Sequence, residues 1–378
     1  MSEPTPDDRR AAAVLASLPA MTSQRLRTLL HRRSPTSALA VLGGREPLDA
    51  MSGRLFRRAP ELRDRWRQHL RSQGPIAADR CDELGVTILL PGTTGWPPQL
   101  VLDPDPPAVL FVQGDPAAID ARRVGVVGTR HPTQRGRQIA ARVGHELAEA
   151  GVAVVSGLAL GIDGAAHRGA LASRGAAPVA VIAHGHHRAY PRSHAALFRE
   201  VAEHGLLLSE WPPGVEPERY RFPRRNRILA SLSEIVLVVE SRETGGSLIT
   251  VAAALERGID VFAVPGPIDR RASNGPNQLI ASGAGVMNEP GDLLVALGLD
   301  GARSGRRAVD ARPRPTGDAA RVLDVVGDGG AELAQVAGVL DLDLADAAMA
   351  VARLERDGWI VEADGWFERL DEWAGVVH

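Results

Sequence analysis

From Val124 onward, short wholly apolar runs alternate with longer stretches in which apolar residues recur three and four positions apart. The runs are Val124 to Gly128, Val152 to Val155, PVAVIA (178–183), GLLLSE (205–210), EIVLVVE (234–240) and DVFAVPG (260–266). Runs this short and unbroken predict strands buried on both faces, and the spaced stretches between them, such as 134–150, predict amphipathic helices. Strand, helix, strand repeated in this way is an α/β chain: a Rossmann-like, doubly wound, mostly parallel sheet over about 120–300.

The flanks carry other rhythms. In the first eighty residues, helical spacing as in LASLPAMTSQRLRTLLHRR is broken at Ser34-Pro35 and Gly43-Gly44, which predicts a small helical bundle. Residues 86–114 are extended and Pro-rich and read as a linker with short strands. Residues 301–317 are rich in Gly, Arg and Pro without periodicity, which marks a solvated linker. Beyond it, helical patterns RVLDVV, ELAQVAGVL and DAAMAVARLERDG precede WIVEA and WFERL, joined at Asp364-Gly365. Three helices closed by a hairpin predict a winged-helix-like module. The expected division is therefore a helical domain at 1–80, the sheet domain at 81–300, a linker at 301–317 and the winged-helix-like domain at 318–378.

Composition narrows the function. With 44% apolar and 24% charged residues the 378-residue chain can bury a full core. Its formal charge of -2 supplies no global field for polyanions, so any such site must be local. The single cysteine, Cys81, excludes an intramolecular disulfide framework and fits a reducing compartment, with a structural role expected for it. The N-terminus has no secretion-signal pattern, and no apolar run approaches the roughly 20 residues of a membrane span, so a cytoplasmic protein without membrane contact is expected. All 44 basic residues other than His are arginine.

In a doubly wound sheet ligands meet the loops at the carboxyl ends of the strands. Gly128, Thr129 and Arg130 end the first strand as a phosphate-binding turn would, although GVVGTR lacks the third glycine of a dinucleotide fingerprint. An NAD enzyme is not expected. Ser156, Gly157 and Gly161 form a small-residue loop before a helix bearing Asp163 and His167, with an Asp cap and a surface histidine as the plain alternative for the last two. Gly246, Ser247 and Thr250 lie in a third strand-to-helix turn. Between them stands RYRFPRRNRILA (219–230), five arginines around Tyr220, Phe222 and Asn226. A run of charge is more often a solvated face, but rings beside arginines are what stacks bases while holding phosphates. Arg221, Phe222, Arg225, Asn226 and Arg227 are the candidates, and replacing Arg225 and Arg227 by Glu is expected to abolish binding and leave the fold intact. His184, His186 and His187 have no Cys or carboxylate at ligand spacing, so neither a metal nor a cofactor is expected.

GVVGTRHPTQRG, VSGLALGIDGAAHRGAL, AYPRSHAALF, LLLSEWPPG, RFPRRNRILASLSEIVLVVE, GGSLIT, VFAVPG and GPNQLIASGA occur in an order that resembles the DNA-processing protein A family, DprA, also called Smf, over about 85–295. The flanking segments resemble that family's variable helical N-terminus and winged-helix-like tail more weakly. The resemblance implies a homodimer without catalytic activity that binds and protects single-stranded DNA and helps load the RecA recombinase in natural transformation. It also implies a backbone contact by Arg130 and a shared pocket for Arg225, Asn226 and Arg227, with Ser156, Gly157, Gly161, Asp163, His167, Gly246, Ser247 and Thr250 on matching positions. Two residues depart from the family pattern. Leu160 stands where many members carry Arg or Lys, with Arg188 or Arg192 as candidates to compensate, and Gly245 stands where Ser is usual.

The competing reading is enzymatic. Similar sheets in nucleoside 5'-monophosphate phosphoribohydrolases carry a PGGxGTxxE loop where this chain has TGGSLIT, and Ala252 replaces the catalytic Glu, leaving Glu256 or Asp163 to stand in. A third reading places duplex DNA on the winged-helix-like module. Asp324, Asp328, Asp341, Asp343, Asp346, Glu355 and Asp357 make that module acidic, which suits a protein partner better.

Overall fold

The computed structural model describes residues 3–299, 312–327, 329–363 and 365–370. Two compact units divide between Ala302 and Arg303. Among the described residues of the first, six helices open the chain: α1 (Pro6–Ala16), α2 (Ser23–Leu29), α3 (Pro35–Gly43), α4 (Ala50–Arg58), α5 (Glu61–Gln73) and α6 (Ile76–Glu83). The side chains of Thr5, Thr22, Ser34 and Asp49 accept from backbone amides at the starts of α1 to α4, satisfying donors the helices leave free. Their apolar faces close around Leu15, Leu29, Leu42 and Trp66, and the same cluster continues into Val86, Ile88, Val109 and Phe111. Helix α6 runs across the expected boundary at 80/81.

The strands are β1 (Thr87–Leu89), β2 (Leu110–Gly114), β3 (Arg122–Val127), β4 (Val152–Ser156), β5 (Val179–Ile182), β6 (Leu206–Ser209), β7 (Ile235–Val238), β8 (Asp260–Ala263) and β9 (Gly285–Val286). They form one sheet in the order β1-β2-β6-β5-β4-β3-β7-β8-β9. From β6 through β9 all neighbours are parallel, as expected of apolar runs covered on both faces by helices. The reading of 86–114 as a linker needs correcting, because β2 pairs antiparallel with β6 and β1 pairs with β2. Wholly buried Leu110, Phe111 and Val112 explain why. This stretch is an edge of the sheet on which the helical bundle packs.

Between the strands run α7 (Gln134–Glu149), α8 (Ile162–Leu171), α9 (Ala195–His204), α10 (Arg221–Leu232), α11 (Ser247–Leu255) and α12 (Asn274–Ala281), and α13 (Pro290–Ala296) follows β9. The chain starts the parallel layer at β3, winds outward to β6, then crosses back to β7 on the other side of β3. The switch point thus lies between β3 and β7, and the loops after β3 to β6 share one stretch of the carboxyl edge.

The second unit holds α14 (Asp318–Val326), β10 (Ala331–Glu332), α15 (Leu333–Leu340), α16 (Leu344–Arg356), β11 (Ile360–Ala363) and β12 (Trp366–Arg369). The expected hairpin is present, and β10 adds a third strand in the order β10-β12-β11. Val322, Val326, Val336, Val351, Leu354 and Ile360 form its core. Most of the expected linker, with Asp328, Asp364 and the last eight residues, lies outside the described residues. No helix among the described residues is long and apolar enough to cross a membrane.

Candidate nucleic-acid interface

The loops that looked alike in sequence behave differently in space. At the N-terminus of α7, after the Gly128-Thr129-Arg130 turn, the chain supplies its own anion. Glu240, just beyond β7, accepts from the Thr133 amide at 2.9 Å and the Thr133 hydroxyl at 2.5 Å. A carboxylate at a helix start meets the same donors and dipole that a phosphate would use. The phosphate-turn reading of the main chain is corrected accordingly. What the turn presents to solvent is the side chain of Arg130.

That side chain lies over the ring of Phe222, 5.1 Å from its centroid. Phe222 in turn packs on Tyr190, centroids 5.6 Å apart, and Tyr190 meets the edge of buried His184 at 6.2 Å. Thus loops after β3, β5 and β6 bring an exposed cation and two partly exposed rings together. Next along the chain, Tyr220 carries Arg221 at 5.0 Å and Arg224 at 5.5 Å from its ring centre. Arg221 is turned inward, paired with Glu218 at 2.8 Å, whereas Arg224 is exposed.

Arg225, Asn226 and Arg227 are not exposed with them. In α10 Arg225 shares a face with Leu229 and Leu232, so the helix that buries those leucines buries the arginine too. Its Nη1 donates to the Val181 carbonyl at the end of β5, and its Nε donates to Asn226 Oδ1 at 3.2 Å. The guanidinium lies flat against Gly157, where a Cβ would collide with it. Burial pushes Arg225 down to about 10, with Asp163 opposing, and it stays charged at neutral pH. Arg227 grips Glu210 with Nη2, 2.6 and 2.8 Å from its two oxygens, and Asp105 with Nε at 3.0 Å. Both arginines are struts of the site. The expectation that the paired Glu replacement leaves the fold intact does not survive this burial.

Beneath the surface lies a polar layer. Asp163 accepts from the Gly157 amide at 3.2 Å, and burial raises its pKa against the pull of Arg225. His167 is wholly buried, not on the helix surface, and neither ring nitrogen closes a well-formed hydrogen bond among the described residues. Burial, reinforced by Arg225 and His194, takes it down to about 3. Ser156 donates to the Val126 carbonyl at 2.6 Å and Ser247 to Ser241 Oγ at 2.8 Å; Thr250 is buried, while Gly246 is open. Gly161, at φ 81°, fits beneath the Thr129 carbonyl.

The departures have physical consequences. A Cβ at Gly245 would meet Ser241 Oγ and come within 3.1 Å of the Arg242 carbonyl, so a serine there requires the Ser241 hydroxyl to turn and the main chain to give by a few tenths of an ångström. Leu160 is 38% exposed. Arg188 is held by Glu216 at 2.6 Å, and Arg192 is exposed. His184 bonds the Gly185 carbonyl, His186 reaches Leu207 and His187 pairs with Glu216, so the three histidines face separate partners. Cys81 is buried and its thiol is pushed up to about 12 by burial, as suits a packing residue. Of the groups that sequence reasoning passed over, Tyr190 was readable in AYPRSH, but Glu240, Glu210 and Asp105 carried no local signal.

A doubly wound sheet whose carboxyl edge pairs exposed arginine with exposed rings, over a buried polar layer, defines a Rossmann-like protein. Residues 87–298 match the family DNA recombination-mediator protein A, and the chain belongs to that family. It is 44% identical over 194 residues to the DNA processing protein DprA of Bacillus subtilis, covering 51% of this chain and 65% of that one. It is also 44% identical over 200 residues to protein Smf of Escherichia coli, covering 53% of each. The chain thus matches between half and two thirds of the length of these relatives. Its fold resembles the X-ray structure of DprA from Streptococcus pneumoniae, with a TM-score of 0.63 at 30% identity over 77% of this chain and 98% of that one. A Helicobacter pylori DprA, solved for its single-stranded DNA binding mode, gives a TM-score of 0.52 at 28% identity over 57% of this chain and 96% of that one.

Proposed function

We propose that this protein binds single-stranded DNA on the surface formed by Arg130, Phe222, Tyr190, Tyr220 and Arg224. The observation that carries the reading is Arg130 stacked over Phe222 with Tyr190 behind it. Rings offer a face to any base and arginines hold phosphates, so binding is expected to have little sequence preference and strong salt dependence. Arg225, Arg227, Asp163 and the loops around Gly157 and Gly161 set the shape of the surface from below. In this reading the protein acts in the cytoplasm as a homodimer, performs no chemistry, protects incoming single strands and hands them to the RecA recombinase. The hydrolytic alternative rests on Asp163 or Glu256. The first carboxylate is buried against the Gly157 amide, and the second is 75% exposed at the far end of α11.

Fluorescence anisotropy of a labelled single strand, titrated at two salt concentrations with the protein and with Arg130→Gln, tests the reading. Salt-sensitive binding that weakens at least tenfold in the variant is the expected result. Equal affinity of the two proteins would overturn it.

A further inference from the structure

The N-terminal helices carry a charge that the single-strand site does not use. Residues 23–73 contain twelve arginines against four carboxylates, in a chain whose formal charge is -2. Two of the twelve are spent on ion pairs, Arg27 with Asp105 and Arg33 with Asp49. Arg54, Arg57 and Arg58 are exposed and share one face of α4, three and four residues apart, and no carboxylate lies within 4 Å of any of them among the described residues. Solvated helix faces normally mix both signs. This face is one-signed because the acidic residue of α4's start, Asp49, is turned into its cap and onto Arg33.

We propose that the arginine face of α4 binds the phosphate backbone of duplex DNA, without reading sequence. The chemistry selects this partner among polyanions. A single strand would need rings for its bases, and the bundle's two rings, Phe56 and Trp66, pack edge to face inside it, 7% and 0% exposed. A protein partner would need an apolar centre, and the exposed large apolar residues there are Met51 and Ile76. A duplex needs only rigid phosphates met by spaced cations. A cleft of about 520 Å³ between α2 and α10 is lined by Arg27 on one side and Arg224 and Arg227 on the other, with Asp105 and Glu210 between them.

The test is anisotropy with labelled duplex and single strand of equal length, comparing the full chain with R54Q/R57Q/R58Q, in parallel with sedimentation of anionic phospholipid vesicles. The expected result is at least a tenfold loss of duplex affinity, a salt slope shallower by about 0.9 for each phosphate no longer neutralised, and unchanged single-strand affinity. Retained single-strand binding also reports that the variant is folded. Unchanged duplex affinity, equal losses on both DNAs, or a loss confined to vesicles would each overturn the proposal. Failure of the parent protein to bind single strands would instead count against the proposed function and leave the duplex comparison intact.

Discussion

The guanidinium of Arg130 lies 5.1 Å from the centre of the Phe222 ring, joining the loop after β3 to the start of α10. Neither residue is near the other in sequence, and each is partly open to solvent. Removing either should therefore act on binding more than on folding. Arg130→Ala is expected to leave thermal unfolding within about 0.5 kcal/mol of the parent, and Phe222→Ala to weaken single-strand binding by about 1–3 kcal/mol. Unfolding curves and anisotropy on the same preparations separate the two effects.

Arg225 should behave in the opposite way. Its guanidinium is buried with Asp163 nearby and bonded to Val181, so Arg225→Ala strands a buried carboxylate and a carbonyl. Leaving buried polar groups without their partner costs about 1–3 kcal/mol, which urea denaturation would register as a lower midpoint. A variant as stable as the parent would show that Arg225 is a surface group after all.

Arg227 Nη2 donates to both oxygens of Glu210, with side chains only 12% and 10% exposed. A double-mutant cycle on Arg227→Gln and Glu210→Gln should give a coupling of about 0.5–3 kcal/mol in stability. Single-strand affinity should change by a similar factor in both single variants, since either one releases the middle of α10 from the loop after β6.

Acid should weaken the fold before the carboxylates titrate. Burial holds His167 and His186 at about 3 and His184 at about 4, below the ordinary value near 6.5. A base with a depressed folded pKa binds its proton more tightly when unfolded, so stability falls as pH drops below about 6.5, by up to about 1.4 kcal/mol per unit for each histidine. The raised Asp163 works the other way, but only near the carboxylate range. Urea midpoints between pH 7 and 5 should decline steadily, and a flat profile would contradict the burial of these rings.

Leu160→Arg restores a cation at a position 38% exposed on the rim of the same edge. One added phosphate contact should steepen the salt dependence of single-strand binding by about 0.7 in log–log slope. No change in slope would place Leu160 outside the path of the strand.

The parallel sheet was legible because its strands are apolar on both faces, so runs such as EIVLVVE announce themselves. The edge formed by β1 and β2 was not. LFVQG reads as one short strand among prolines, and only its pairing with β6 makes it part of the layer. At the candidate site, sequence pointed to loops at the carboxyl ends of the strands but could not say which side chains face outward. The arginines of RYRFPRRNR look equivalent in the sequence, and the helical phase of α10 separates exposed Arg224 from buried Arg225. Likewise a glycine-rich turn looks the same whether its helix waits for a phosphate or already holds Glu240, which arrives 107 residues later. The charge of residues 23–73 was countable from the start, yet it acquires meaning only once Phe56 and Trp66 are seen to be buried.

The most direct measurement is photochemical cross-linking of a 5-iodouracil-substituted single strand, with the adducts mapped by mass spectrometry. Stacking on the Arg130–Phe222–Tyr190 surface predicts adducts on Tyr190, Tyr220 or Phe222, lost on competition with unlabelled single strand. Adducts confined to other parts of the chain would contradict the account.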